Sequence, residues 1–313
     1  MNATVRFVLL RLAGLAAVLL VASFLVYGLL YLVPGGPLSF LLGNRTATPE
    51  QIATIRAQYH LDDPFLVRYA RWLADALGGD LGRSLVYRQD VTALLGTRIS
   101  TTLWLVGYSS VLIVVGGLAA GSLAALRGGR TDTAVSSVSS LFLATPVFVV
   151  GVVLVIVFAR GLGWFPVFGA GDGFWNRLHH LTLPSVTLAL GSAAYLARIT
   201  RASVREELGR EHVDTARSRG LAESRIVRRH VLRNAAVPVT TVIGLTVAGL
   251  LAGAVVVENV FALDGIGSLF VRAIMQRDFA VVQAVVLVLV ASFVVVNLVV
   301  DLLYSVLDPR MAR

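Results

Sequence analysis

The 313-residue sequence contains no cysteine and no lysine, and charged residues make up only 14% of it. Without cysteine the chain can form neither disulfides nor thiolate metal sites. Without lysine it cannot carry the Gly-x-x-x-x-Gly-Lys-Ser/Thr loop that binds nucleotide phosphates. Gly-x-Ser-x-Gly and His-Glu-x-x-His, which mark common hydrolases and zinc proteases, are also missing. These absences predict that the chain is not an enzyme and binds no metal or other cofactor of its own.

The composition indicates a membrane protein. Hydrophobic residues make up 57% of the chain and the mean hydropathy is +0.80, far above that of a soluble domain. A helix needs about 20 residues to cross roughly 30 Å of hydrocarbon. Six segments are long enough: Val8–Leu32, Thr101–Leu126, Val138–Ala159, Leu181–Ile199, Ala236–Val257 and Val281–Leu307. The first is too long for a signal peptide, so we expect it to be retained. The sequence predicts an all-α membrane protein with six transmembrane helices.

The distribution of arginine predicts the orientation of these spans. All 27 basic residues are Arg, and sixteen of them fall at the termini and in the connections of one side. The short connections of the other side carry only Arg160, Arg177, Arg272 and Arg277. Seven more lie in the long first connection, where charge has little effect on topology. Both termini are therefore predicted to be cytoplasmic, and the net charge of +9 is assigned to topology rather than to nucleic-acid binding.

The first external connection, Pro34–Ser100, is predicted to contain short amphipathic helices. Thr48-Pro49-Glu50-Gln51 has a capping residue followed by proline at the first helical position, and Asp63-Pro64 repeats the pattern. Gly78-Gly79 is predicted to end the second helix. Its apolar positions recur at helical spacing: Leu66, Tyr69, Ala70, Leu73 and Leu77. We interpret this region as a small cap over the helix bundle, with direct contact to the substrate as the alternative, and a partner could also dock there.

The second external connection, Gly161–His180, is rich in aromatic residues, which is typical of a membrane interface. No nearby Cys, Asp or Glu completes a ligand set with His179 and His180, so we predict no metal site there.

The connection from Arg198 to Arg233 is the most distinctive part of the chain. Ten arginines lie in it. Residues 210–219 favour a short helix, Gly220 can adopt the left-handed conformation that ends one, and residues 223–233 can start a second helix. A helix-Gly-helix elbow at the cytoplasmic face is therefore predicted. Charge alone does not decide whether it docks on another protein or only fixes topology and binds anionic lipid.

The residues of this elbow resemble a known motif. Asp214-Thr215-Ala216-Arg217-Ser218-Arg219-Gly220 resembles the Glu-Ala-Ala-x-x-x-Gly loop of bacterial ABC importer permeases, with Asp214 in place of Glu and Thr215 in place of the first Ala. Arg229–Ala235 resembles the downstream motif of the dipeptide, oligopeptide and nickel group. Other stretches along nearly the whole chain resemble the same group: Gly79–Ser84, His180–Pro184, Ala197–Ser203, Glu258–Phe261 and Asn297–Arg310. The long first external connection is similar to that of the first of the group's two permeases.

The resemblance implies a subunit of a type I ABC importer in the bacterial cytoplasmic (inner) membrane. Such an importer pairs two homologous permeases as a heterodimer, two cytosolic ATPases that bind ATP and Mg, and an external solute-binding protein. Residues 210–220 would be the coupling helix. Asp214, Thr215, Ala216 and Gly220 would form the core of its ATPase contact, with Arg217 and Arg219 as charged flanks. The resemblance makes peptides the leading substrate class and leaves nickel or another small solute as the alternative.

The resemblance also implies a domain organisation. An N-terminal helix would occupy residues 1–33, the external helical region 34–97, a five-helix permease domain 98–307, and a cytoplasmic tail 308–313.

A few polar and small residues within the spans leave other possibilities open. Asn297 and Asp301 lie four residues apart near a helix end, where they could mark a pathway or simply pack. Thr145-Pro146 and Pro184 could kink or interrupt helices. One of two small-residue faces could form the seam between two permeases. The first consists of Gly116, Gly117 and Gly121, and the second of Gly244, Ala248 and Ala252. A proton-coupled secondary transporter is the less supported alternative, because Asp301 alone is a thin basis for a proton relay and no internal repeat is evident.

Overall fold

The computed structural model describes residues 3–29, 48–58, 61–84 and 86–307. Residues 34–47 of the external connection, the side chain of Asp301 and the predicted cytoplasmic tail 308–313 lie outside the described residues. The domain boundaries expected from the sequence stay predictions.

The regular elements of the described residues are helices, which confirms the all-α fold class. They are α1 (Ala3–Leu29), α2 (Pro49–Gln58), α3 (Phe65–Leu77), α4 (Val91–Arg127), α5 (Gly129–Ala144), α6 (Val147–Gly161), α7 (Phe174–Leu208), α8 (Glu211–Ser218), α9 (Glu223–Val260), α10 (Ile266–Met275) and α11 (Phe279–Leu307). Helix α6 is π-helical from Val155, and α9 contains a π-helical turn at Val227–Val231. The chain divides into two compact units, residues 1–102 with 264–295 and residues 103–263 with 296–313.

Both short external helices begin beside a proline, as predicted. Pro49 is the first residue of α2. In α3, Pro64 takes the capping position rather than the first helical one, and Asp63 pairs with Arg71. Helix α3 ends immediately before the two glycines, of which Gly79 has a φ of 89°. The residue types therefore placed the helix ends correctly to within one residue.

Helix α3 packs on α1 through aromatic rings. The ring centroids of Tyr27 and Trp72 lie 5.4 Å apart, and the Tyr69 hydroxyl is 2.8 Å from the Ser23 hydroxyl. Of the apolar positions predicted at helical spacing, Tyr69 and Leu73 are partly buried, whereas Leu66, Ala70 and Leu77 are exposed. Aromatic rings bury more area than leucine and gain from edge-to-face packing, which favours the contact of Tyr69 and Trp72 with α1.

The rest of the first unit packs the start of α4 against α10 and α11. Val91, Leu94, Leu269 and Val285 are fully buried in its core. The Thr102 hydroxyl accepts a hydrogen bond of 2.9 Å from the first amide of α10. The buried carboxylate of Asp278 accepts one from the Ser84 hydroxyl. These polar contacts satisfy groups that would otherwise be buried without partners.

The second unit depends on a very close contact between α4 and α7. A Cβ atom on Gly117 would lie 2.8 Å from the side chain of Leu196, and one on Gly121 would lie 2.5 Å from the Ala197 carbonyl oxygen. The two glycines are four residues apart, the small-xxx-small spacing that lets helix backbones approach. This pair is used within the chain, so it does not supply the seam between two permeases that the sequence suggested.

Helices α5 and α6 together cover the segment Val138–Ala159 that was predicted as one span, but they are not one straight helix. The chain turns by 106° at Thr145-Pro146, so the two helices are a broken pair. Proline lacks an amide hydrogen and clashes with the preceding turn, which explains the break. Near the start of α5, Asp132 pairs with Arg201 and Arg205 of α7. The break leaves the end of α5 and the start of α6 beside the middle of α7.

Several helices are long and apolar enough to cross a membrane. By length and composition α4, α9 and α11 each qualify, and α5 with α6 would be a fourth if the bent pair is one span. In α1 the apolar part with described side chains covers Ala13–Gly28. Helix α7 has 35 residues but is more polar. Six spans stay a prediction.

Candidate functional site

The predicted elbow is present and is centred on α8. Arg210 is extended and starts the helix, and Glu211 and Asp214 lie in its first turn, with Arg217 in its last. Acidic residues near the amino end and a basic residue near the carboxyl end match the helix dipole. An eight-residue helix is marginal alone in water, so its stability must come from the residues that surround it.

Gly220 closes the elbow in a Schellman motif. Its φ is +75°, in the left-handed region that residues with a Cβ avoid. The Gly220 amide donates to the Arg217 carbonyl oxygen at 2.9 Å, and the Leu221 amide donates to that of Ala216 at 3.3 Å. Leu221 also packs against the cluster that contains Ala216, the hydrophobic contact that usually accompanies this motif. The prediction that Gly220 ends the helix is confirmed.

The underside of α8 is anchored in an apolar cluster. Val213 and Ala216 point into it and are buried, together with Val204 of α7 and Ile226 and Val231 of α9. The apolar spacing of three between Val213 and Ala216 places both on one face of the helix. Helix α8 is therefore held by the two long helices that flank it in sequence.

The outer face of α8 carries charge that is organised by ion pairs. The Arg217 guanidinium donates to Glu223 at 2.8 and 3.2 Å and to Asp214 at 3.3 Å. Through these hydrogen bonds Arg217 holds the pKa of the Glu223 carboxyl below its usual value, and Glu223 raises the pKa of Arg217. The pair joins α8 to the start of α9 across Gly220. The Asp214 side chain remains 69% exposed.

Glu207 is a residue of this site that sequence reasoning missed. It lies at the end of α7 and is nearly buried. Its carboxylate accepts a hydrogen bond of 2.8 Å from Asn234 of α9 and lies 3.1 Å from His212 and 3.4 Å from Arg210. One side chain thus ties together the helix before α8, α8 itself and the helix after it. Its only signal in the sequence was an acid inside a strongly basic stretch.

The structure brings the six predicted contact residues together but not on one surface. Asp214, Thr215, Arg217, Arg219 and Gly220 are exposed. Ala216 is buried against its own chain, because it follows Val213 by three residues and shares its face. Ala216 therefore supports α8 from inside, and the other five form the outward surface.

The second helix of the elbow starts at Glu223, as predicted. Residues 223–233 are the first turns of α9, which continues to Val260. The elbow is thus joined directly to a helix that is long enough to span the membrane.

His179 and His180 lie in the first turns of α7 and contact backbone carbonyl groups. His179 lies 2.9 Å from the Trp164 carbonyl oxygen, and His180 lies 2.9 Å from that of Asn176. Within the residues that the structure describes, no group of three His, Cys, Asp or Glu side chains could hold a metal ion.

Comparison with known proteins gives consistent results along the chain. A family described as "binding-protein-dependent transport system inner membrane component" matches residues 113–313, and the family of its amino-terminal part matches residues 4–106. The chain is 38% identical over 307 residues to the glutathione transport system permease protein GsiC of Escherichia coli O6:H1, covering 98% of each chain. It is 37% identical over 309 residues to a probable peptide ABC transporter permease protein, y4tP, of Sinorhizobium fredii, covering 97% of this chain and 98% of that one.

A solved structure shares the fold. The inward-facing methionine ABC transporter MetNI aligns with a TM-score of 0.58 at 19% identity, over 69% of this chain and 96% of that chain. Because the family match covers well over half of the chain and these relatives span it almost end to end, the chain belongs to the family of binding-protein-dependent transport system inner membrane components, as an ABC importer permease of the peptide group.

Proposed function

We propose that this chain forms half of the translocation pathway of an importer for di- and oligopeptides, and that α8 couples it to a cytosolic ATPase. The substrate class is supported by the names of its relatives, which are a glutathione and a probable peptide permease. The coupling role is supported by one observation above all. The elbow presents an exposed charged surface on a helix whose other face is fixed in the chain.

A coupling element has to be both accessible and rigid. A bound partner shifts a conformational equilibrium only by its difference in affinity for the two states. A loosely attached helix would adjust to the ATPase in both states and transmit little of that difference. The buried base of α8, the Schellman motif and the carboxylate of Glu207 each limit such adjustment.

The remaining partners follow from the importer architecture. The chain would pair with a second homologous permease, engage two ATPases that bind ATP and Mg, and receive substrate from an external solute-binding protein. The excess of arginine around α8 supports a cytoplasmic location for the elbow and for both termini. That side is where a cytosolic ATPase could reach Asp214, Thr215 and Gly220.

The test uses substitutions at Gly220 in the assembled complex. Gly220→Pro is incompatible with a φ of +75° and removes the amide that bonds to Arg217, so it should abolish ATP-driven uptake while membrane insertion is retained. Gly220→Ala meets no atom within 4 Å, so its only cost is the left-handed backbone, about 1 to 2 kcal/mol, and it should impair coupling partially. Gly220→Asn, which tolerates this conformation, should recover most of the activity.

Gly209 supplies the matched control. It lies in the same loop with a φ of −89°, so Gly209→Ala should leave uptake and substrate-stimulated ATP hydrolysis unchanged. Normal coupling in Gly220→Pro would refute the role of the elbow. Uptake by this chain driven by a proton gradient, with no ATPase present, would refute the importer assignment as a whole.

A further inference from the structure

A groove in the second unit lies at the break between α5 and α6. It has a volume of about 450 Å³, within the range of roughly 300 to 1,000 Å³ that is usual for small-molecule sites. Its walls come from the end of α5, the start of α6, and the middle of α7 and α9. It is a separate feature from the elbow, since it shares no residue with α8.

The predicted spans place the groove near the middle of the membrane. Gly191 and Ser192 are close to the centre of the predicted span Leu181–Ile199, and Thr246 is close to the centre of Ala236–Val257. Helices α7 and α9 therefore contribute residues from similar depths.

The wall of the groove is mostly apolar, but it carries five hydroxyl groups and, among the described residues, no charged side chain. Hydroxyl groups come from Thr145, Thr187, Ser192, Tyr195 and Thr246, and no ionisable acid or base of the described residues lines it. Thr187 is satisfied by the Leu183 carbonyl oxygen at 2.8 Å. In the part of the chain that the structure describes, the hydroxyls of Ser192, Tyr195 and Thr246 have no intramolecular partner. Tyr195 is 46% exposed.

The broken helix adds an acceptor to this wall. The carbonyl of Phe142 has no amide donor four residues later, because residue 146 is proline. Its oxygen would lie 3.8 Å from a Cβ at Gly191, so it borders the groove. Hydroxyls without an intramolecular partner, and a carbonyl that lacks its helical donor, are costly against hydrocarbon, and non-helical backbone at this depth is tolerated where it lines a cavity or is buried in protein. The groove therefore faces a polar occupant rather than lipid.

We propose that this groove is the surface along which the solute passes, and that it holds the uncharged main chain of a peptide by hydrogen bonds. Peptide amides and carbonyls provide both donors and acceptors, and hydroxyls can serve either. A wall with no charge of either sign does not discriminate between acidic and basic side chains, so this surface accepts peptides of many sequences. The inference rests on the proposed function and adds to it the residues and the chemistry of the passage.

The absence of cysteine from the chain makes accessibility directly measurable. Single variants Ser192→Cys and Thr246→Cys, assembled with the partner subunits in vesicles, are treated with a charged, membrane-impermeant methanethiosulfonate, and modification is read as a mass shift of this chain. Only the thiolate reacts, and a thiol in hydrocarbon does not ionise. Val115→Cys is the control, because Val115 lies mid-span on α4 and is 63% exposed on an apolar face.

We expect Ser192→Cys and Thr246→Cys to react at least tenfold faster than Val115→Cys, and saturating dipeptide with its binding protein and ATP to slow them severalfold. Rates no faster than that of Val115→Cys would overturn the proposal. So would protection that is already complete without peptide, which would mean that the second permease covers the groove.

A second variant tests the chemistry of the wall. Thr246→Arg should reduce uptake of a basic dipeptide at least tenfold more than uptake of an acidic one, whereas the unsubstituted complex should transport both at similar rates. Equal effects on both dipeptides would overturn the proposal. ATP-dependent uptake by the unsubstituted complex is measured first. Its absence would refute the importer function, whereas normal uptake combined with an unreactive groove would refute only the role of the groove.

Discussion

Helices α3 and α8 are both short, amphipathic and surface-bound, yet they are held in different ways. Helix α3 has 13 residues, none of them fully buried, and contacts α1 mainly through rings such as Tyr69 and Trp72. Helix α8 has eight residues, and two of them, Val213 and Ala216, are buried. The shorter helix is thus the more firmly anchored one.

The difference shows that attachment, rather than length, decides what a surface helix can transmit. Helix α3 is attached along one face, as a cover would be. Helix α8 is fixed from below by aliphatic residues, at one end by Glu207 and at the other by the motif at Gly220. A force applied to α8 reaches two long helices, which suits the coupling role.

The largest expected effect comes from placing a charge under α8. Val213→Asp would bury an unpaired carboxylate, which costs roughly 3 to 5 kcal/mol, so α8 should detach and peptide-stimulated ATP hydrolysis should be lost. Leu77→Asp is the counterpart on α3, where the side chain is 82% exposed and the cost should stay below about 0.5 kcal/mol. Equal losses of ATP hydrolysis in the two variants would show that the coupling does not depend on the anchoring of α8 more than on α3.

A smaller effect is expected at Glu207. Glu207→Ala leaves Asn234 and His212 without their shared acceptor, and hydrogen bonds to a charged group contribute about 1.5 to 3 kcal/mol. We expect a severalfold decrease in the ratio of peptide uptake to ATP hydrolysed. Glu206→Ala is the control, since Glu206 makes only an exposed pair with Arg210 and should change this ratio little. A larger effect at Glu206 would show that surface charge, not anchoring, sets the coupling.

Loosening α3 should change its exposure to protease and leave coupling intact. Trp72→Ala removes a ring packed on Tyr27 and Tyr69, and each aromatic pair contributes about 1 kcal/mol. Trypsin should then cleave at Arg68 and Arg71 several times faster, with ATP hydrolysis unchanged. Leu66→Ala, at an exposed position of the same helix, should change neither the rate of trypsin cleavage nor the rate of ATP hydrolysis. Loss of coupling in Trp72→Ala would assign α3 more than a covering role.

The smallest effect is expected from the exposed pair of Arg217 and Glu223. The folded-state pKa of Glu223 lies below its ordinary value of 4.5, so the stabilisation is fully present above pH 4.5 and is lost as the pH falls through the folded-state pKa. Glu223→Gln should lower the thermal midpoint of the complex slightly at pH 7, and the difference from the unsubstituted protein should shrink below pH 4.5. A difference that grows on acidification would contradict this assignment.

The elbow could be predicted because its determinants are local. A helical run, a glycine suited to positive φ and a restart are all visible within about 20 residues, and the structure confirms all three. The break at Thr145-Pro146 was visible as a possible kink, but its angle depends on what packs around it.

The parts that could not be predicted depend on contacts distant in sequence. Glu207 and Asn234 are 27 residues apart, and nothing near either one indicates the other. Helical spacing alone does not say which residues of α3 contact α1: Tyr69 was among the predicted apolar positions, whereas Trp72 was not. The burial of Ala216 could have been predicted from its spacing to Val213. The resemblance to the permease coupling loop instead led to the prediction that Ala216 contacts the ATPase.

The tight crossing of α4 and α7 at Gly121 and Ala197 has a mechanical consequence. If α7 tilts as a rigid body about this crossing point, its two ends move in opposite directions and by different amounts. At about 1.5 Å per residue, the distance along α7 from Ala197 to Gly209, where the elbow begins, is about 18 Å, and the distance from Ala197 to Ser192 is about 8 Å. A displacement of the elbow would reach mid-membrane with its direction reversed and its amplitude roughly halved. If the elbows of two paired permeases were drawn together, the groove walls at Ser192 would therefore move apart.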